Sequence, residues 1–170
     1  MTAQPSITEA LVAQIVETRK FVASVKQDNT RHPKSEQKIK DYRAPNERLI
    51  VWDLRYVDMR EKPIPLQFTA RQETALSGVI RPMPGFSLKW KGVRIRGVNW
   101  NLQHPNILNG QATEPVRGWH EKLWNQIDQD KHIIDINDVV KNTDFRSMLR
   151  FCCDRWNIES ESDQYNMGDL

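Results

Sequence analysis

The chain has 170 residues, 25 Lys and Arg against 22 Asp and Glu, and a net charge of +3, a length that fits one domain. Six Trp, five Phe and three Tyr exclude a disordered polymer, and apolar runs of at most four or five residues exclude a membrane-spanning helix. The charge is uneven: residues 19–96 carry 18 Lys and Arg against 8 Asp and Glu, and residues 97–170 carry 7 against 12, so a +10 stretch precedes one of −5.

The N-terminus, Met1 to Ser6, has no basic region followed by an apolar one, so no secretory signal is expected and a cytoplasmic location follows. Ser6-Ile7-Thr8-Glu9 reads as a capping box. The stripe Ile7, Leu11, Ile15, Val22 and Val25, widened by Val12, Val16 and Phe21, predicts an amphipathic helix over 1–28 that must pack on the domain or on a partner. Residues 29–48 follow as a basic linker with Arg31, Lys34, Lys38, Lys40 and Arg43 and almost no apolar side chain. Leu49 to Arg55 is a β-rich run, and Ile64 to Thr69 a second one, read as an edge strand because of Pro63 and Pro65.

After the turn cluster Arg81–Gly85, Phe86, Leu88 and Trp90 alternate with Ser87, Lys89 and Lys91. Gly92 breaks the run. Val93, Ile95, Val98 and Trp100 continue as a strand whose alternation slips at Gly97, where a bulge is expected. A polar loop over 101–118, a short element at Trp119, Leu123 and Trp124, and a strand at 132–136 come next. A closing helix, capped at Asn142, Thr143 or Asp144, carries Phe145, Met148, Leu149, Cys152 and Trp156 on one stripe. Cys152 and Cys153 are sequence neighbours, which excludes a disulfide framework or a paired-Cys knuckle; they are expected to be reduced, with Cys152 a small core side chain. The order helix, strands, helix predicts an α+β domain over 49–158, with a largely antiparallel twisted sheet between an N-terminal and a C-terminal helix, followed by an acidic disordered tail at 159–170.

The most site-like window lies between Lys89 and Trp124, where Arg, Asn and His concentrate among four Trp. His104 and His120 are the candidate acid and base for phosphodiester cleavage, one taking the 2′-hydroxyl proton and one protonating the leaving oxygen, with Glu121 the adjacent carboxylate. Arg94, Arg96 and Arg117 are candidate phosphate contacts together with Lys89, Lys91 and Lys122, and Trp119 a stacking surface. His120-Glu121 with His104 or His132 could supply three metal ligands, but neither HExxH nor paired-Cys spacing is present, so no metal and no cofactor is expected. The glycine patterns of dinucleotide-binding and P-loop folds are absent too. The plain alternative for each residue is a turn bond, a solvated charge or a core ring.

Arg94-Ile95-Arg96-Gly97-Val98-Asn99-Trp100, His104-Pro105-Asn106, Asn109-Gly110 and Arg117-Gly118-Trp119-His120-Glu121-Lys122-Leu123-Trp124 together resemble a group of small bacterial and phage-borne proteins. There a strand leads to an H-x-N-P-D-G turn and then a G-x-H-x-H-x-W strand, and the chain closes on a helix ending near C-N-I; here the ending is Phe151-Cys152-Cys153-Asp154-Arg155-Trp156-Asn157-Ile158. The resemblance covers the C-terminal half. Two features depart from it: Asn106-Ile107-Leu108-Asn109-Gly110 replaces the N-P-D-G turn, and Lys122 stands where the second His of H-x-H would be. The resemblance implies a fold and no established activity.

Two functions follow as expectations. One is a small cytoplasmic protein that contacts nucleic acid, RNA before DNA, with a toxin-like, metal-independent ribonuclease as the activity its histidines would support. The other is a non-enzymatic interaction protein, a phage-type inhibitor or accessory subunit, that docks on a larger protein complex through its N-terminal helix and basic linker.

Overall fold

The computed structural model describes residues 6–28, 47–73 and 84–160. The order is α1 (Glu9–Glu17), β1 (Lys20–Asp28), β2 (Glu47–Tyr56), β3 (Leu66–Glu73), β4 (Gly85–Trp90), β5 (Val93–Leu108), β6 (Gln111–Asn125), β7 (Gln129–Asp135), α2 (Phe145–Arg155) and β8 (Ile158–Glu159). The strands form one strongly curled sheet in the order β7-β6-β5-β4-β3-β2-β1-β8, antiparallel except for the β1–β8 pair. Strands β1 to β7 lie side by side in chain order, and turns of two or three residues join β4 to β5, β5 to β6 and β6 to β7. The fold is α+β, with a helix at each end of the chain.

One face of the sheet packs on both helices. Val12 and Ile15 of α1, with Met148, Leu149 and Cys152 of α2, meet Trp52, Phe68, Phe86 and Leu88 in a single core. Trp52 stacks on Phe68 with centroids 4.9 Å apart, and Trp156 closes on Phe68 at 6.0 Å. Burial of each such side chain contributes about 1.5–3 kcal/mol, which is how a lean composition sustains the fold.

Several expectations are corrected. The N-terminal helix stops at Glu17 instead of reaching residue 28, and Lys20–Asp28 is a strand paired with β2. Phe21, Val22 and Val25 suit a pleated surface as well as a helix stripe, and the partner strand decides. The N-cap is Thr8, whose Oγ1 accepts the Leu11 N–H at 3.2 Å, while Glu9 accepts from the Gln126 N–H across the molecule. The apolar stripe of α1 is spent on the domain's own core. β3 lies between β2 and β4 and is not an edge; Pro63 and Pro65 precede it, outside the ladder. The bulge falls at Ile95, between Arg94 and Arg96, and not at Gly97. Glu47 and Arg48, assigned to the linker, open β2; residues 29–46 and 161–170 lie outside the described residues.

The largest correction is the polar loop. Residues 101–108 complete β5 and 111–118 open β6, joined by Asn109 and Gly110 at φ 54° and 75°, the two left-handed positions of a type I′ hairpin turn. Pro105 and Pro115 fit because the ladder is irregular from Asn101 to Asn106. These breaks let the hairpin fold back on its neighbours. Asn106 Oδ1 accepts the Ile133 N–H at 3.0 Å, and the Asp128 carboxylate takes the Asn109 and Gly110 N–H groups, each at 2.7 Å. Burial raises the pKa of Asp128, but these N–H groups and the Asn125 amide outweigh it and hold the carboxyl below its ordinary range.

Candidate functional site

Strand alternation sorts the candidate residues onto two faces. Lys89 pairs with Arg94 and with Gln67, and Gly97 pairs with Lys122 and with Ser87, so Lys89, Arg94 and Lys122 share the face turned away from the helices. His120 belongs to the same face, two positions from Lys122. Arg96, Trp119 and Glu121 occupy the alternate positions and turn toward the helices, and Arg117 shares their parity. Lys91 sits in the exposed turn between β4 and β5 with φ 49°.

On the polar face the Arg94 side chain lies across Gly97: a Cβ built there would stand 3.0 Å from Arg94 Cδ. Thus positioned, Arg94 donates from Nε to Asp130 Oδ2 at 2.9 Å, and its Nη2 lies 2.7 Å from the same oxygen. Lys122 is half-buried beside this pair. Burial and then the Arg94 charge lower its pKa, and Asp130 only partly offsets them. Two cations, Arg94 and Lys122, therefore lie beside the Asp130 carboxylate, with Lys89 on the same face opposite Arg94, and an anion placed between Arg94 and Lys122 would relieve their repulsion.

The two histidines meet. His104, between the register breaks of β5, brings its ring to 4.8 Å from that of His120, tilted by 50°. His104 Nδ1 lies 2.7 Å from Pro105 O, and His120 Nδ1 3.1 Å from Gly118 O. Facing carbonyls, both Nδ1 atoms carry the proton in the neutral ring, a tautomer inferred from the bonding pattern, which leaves Nε2 an acceptor. His120 is 0% exposed and its Nε2 has no hydrogen-bond partner. Burial first, then the charges of His104 and Lys122, lower its pKa against the pull of Gly118 O and Asp135. A neutral imidazole with a bare nitrogen can act as a base, but here it lies beneath the surface.

Glu121 does different work. Its carboxylate accepts from Trp156 Nε1 at 2.9 Å and from Arg155 Nε, with Arg96 Nε at 4.0 Å, and so fastens α2 to the sheet. Trp119 is 4% exposed in the core, where nothing can stack on it. Cys152 and Cys153 are buried and form no disulfide, and burial pushes the Cys152 thiol well up, so it stays protonated. Among the described residues no three His, Cys, Asp or Glu side chains gather so that they could hold a metal ion.

Asp130 and the support given by Gly97, Asp128 and Asn106 are not legible in the sequence. Asn109-Gly110 was the signal for the hairpin. The alternation of 119, 121 and 123 with 120 and 122 was the signal that would have divided the candidate set. No protein-family model, curated protein or solved structure matches the chain.

Proposed function

We propose that the chain is a nucleic-acid-binding protein, with RNA as its first target, and that phosphate binds at Lys89, Arg94 and Lys122 on the polar face of the sheet. The observation that carries this reading is the closeness of Arg94 and Lys122 beside the Asp130 carboxylate, with Arg94 laid across Gly97 and Lys89 paired opposite it on the same face. The excess of positive charge over residues 19–96 supports it by steering polyanions toward the molecule. The reading includes a cytoplasmic location, supported by the two cysteines that form no disulfide and by the finding that, among the described residues, no helix is long and apolar enough to cross a membrane.

A second reading, a toxin-like, metal-independent ribonuclease, is favoured by the contact between His104 and His120. It requires His120 to become accessible from a fully buried position. Docking on a larger protein complex through α1 has weaker support, because the apolar stripe of that helix is already covered.

Fluorescence anisotropy with labelled RNA in chelator tests binding, and gel analysis of the same samples tests cleavage. Saturable binding that falls steeply with salt and is lost in a Lys89→Ala, Arg94→Ala, Lys122→Ala triple variant supports the first reading. Unchanged binding in that variant removes it. Cleavage abolished by either His104→Ala or His120→Ala would establish the second, and equal cleavage in all proteins would remove it.

A further inference from the structure

The indole rings that make the sequence look like a stacking platform are withdrawn from the polar face. Trp52, Trp119, Trp124 and Trp156 are buried in the core, and Trp90 and Trp100 pack against it, which accounts for all six. Phe68 and Phe86 are core rings, and Phe145 packs on Phe86. Phe21, paired with Arg55 at the far side of the sheet, has the Arg60 guanidinium over its ring at 5.4 Å. The rings of His104 and His120 face each other. Among the described residues, then, the cationic part of the polar face offers charge and short polar side chains but no open aromatic surface.

Gly97 leaves room for Arg94, and at Gly85 a Cβ would crowd Asn99 Nδ2 at 3.0 Å while standing in ordinary contact, 3.7 Å, with Arg71 Nη2, so two arginines of different strands lie close against the sheet surface. Between them Thr69, Ser87 and Gln67 contribute only small or amide side chains. The cations Arg71, Lys89, Arg94 and Lys122 stand on this face with two carboxylates, Asp53, held by Gln67 and Lys26, and Asp130, held by Arg94.

Proteins that hold single strands combine phosphate contacts with rings on which the unstacked bases rest, and that stacking is their main sequence-tolerant source of affinity. A double helix needs no such rings: its bases are already stacked, it presents phosphates and 2′-hydroxyls, and it carries more charge per unit length. Resting on the nucleic-acid reading above, we infer that the polar face takes the backbone of double-helical RNA in preference to single strands and without reading sequence. Phosphates lie against Lys89, Arg94 and Lys122, with Arg71 extending the surface across β3.

The test uses the full chain and labelled 20-mers, G·C-rich and A·U-rich, each as a duplex and as its separate strands, by anisotropy at low and at moderate salt. The expected result is duplex binding at least about tenfold tighter than either strand, and two duplexes that agree within about twofold. The log–log salt slope should have a magnitude of about 3, for three phosphates engaged. Arg94→Ala, or Lys89→Ala if that variant folds better, should reduce the slope by about one and weaken both duplexes equally, whereas Lys141→Ala, on the exposed β7–α2 connection, should leave both unchanged. Single strands that bind as tightly as duplexes, or a preference above tenfold between the duplexes, overturn the inference and leave the nucleic-acid reading standing. Failure of every RNA to bind at low salt overturns both.

Discussion

Removing the Glu121 carboxylate should unfasten α2 from the sheet without touching the proposed nucleic-acid binding. Its side chain is 3% exposed and holds three partners: Trp156 Nε1 at 2.9 Å, Arg155 Nε, and Arg96 Nε at 4.0 Å. Glu121→Ala strips the buried indole N–H of its acceptor, at a cost of about 1–3 kcal/mol. It also leaves the Arg96 charge, in a side chain only 18% exposed, without a counter-ion; breaking a buried pair of this kind costs about 3–5 kcal/mol. Arg155 is one-third exposed and adds only a surface-pair contribution of about 0–1 kcal/mol. Because these losses share one carboxylate they do not add, and about 4 kcal/mol is expected overall. That is a large part of the roughly 5–15 kcal/mol that holds a domain together. Glu121→Gln keeps an acceptor for Trp156 and loses only the charge, so it should cost about 2 kcal/mol. Urea unfolding at low temperature, followed by Trp fluorescence and circular dichroism, measures both, with an unchanged m-value as the check on two-state behaviour. A Glu121→Ala protein within about 1 kcal/mol of wild type would refute the reasoning. So would one of undiminished stability that no longer binds RNA, since the carboxylate would then act at the site.

Three further outcomes are expected. Lys20 is fully buried and its Nζ donates to Ile15 O, Val16 O and Thr18 O at the end of α1, with burial lowering its pKa to about 8; Lys20→Met should cost about 2–4 kcal/mol in urea unfolding by leaving those carbonyls unpaired. Gly118 has φ +83° and lies against Asn137, which accepts from Trp119 N–H and donates to Arg117 O; Gly118→Ala should combine backbone strain with displacement of Asn137 and cost about 2–4 kcal/mol, and a loss below about 0.5 kcal/mol would contradict the geometry. His120 binds its proton less readily folded than unfolded, so its contribution is fully present above the unfolded value of about 6.5 and is lost as pH falls below it, by up to about 1.4 kcal/mol per pH unit until the folded value is reached. The stability difference between wild type and His120→Phe should shift in that direction between pH 7.5 and 5.5, and a difference independent of pH would contradict it.

Much of the local structure was legible. The alternation from Phe86 to Lys91 became β4, the stripe Phe145, Met148, Leu149, Cys152 and Trp156 became α2 capped by Asp144, and the run of strands between two helices became an α+β fold. These signals are local: a period of two or of three to four residues, or a short side chain at a helix start, is a property of neighbouring positions. Where local preference is ambiguous, the sequence does not decide the element. Phe21, Val22 and Val25 satisfy a helical stripe and a strand alike, and only β2 beside them makes the difference. The polar residues at 101–108 and 111–118 resemble a loop until each strand supplies the other's backbone partners across the Asn109-Gly110 turn.

The candidate site divides along the same line. Residue types and their clustering between Lys89 and Trp124 are written in the sequence, and they single out His104, His120, Lys89, Arg94 and Lys122 as candidates. Only the tertiary structure sent Glu121, Trp119 and Arg96 to the helix side of the sheet, because the face that each position occupies depends on which face the helices cover. It also brought His104 against His120 and Arg94 against Asp130, contacts made by backbone register and by a hairpin folded on its neighbours, not by any spacing along the chain.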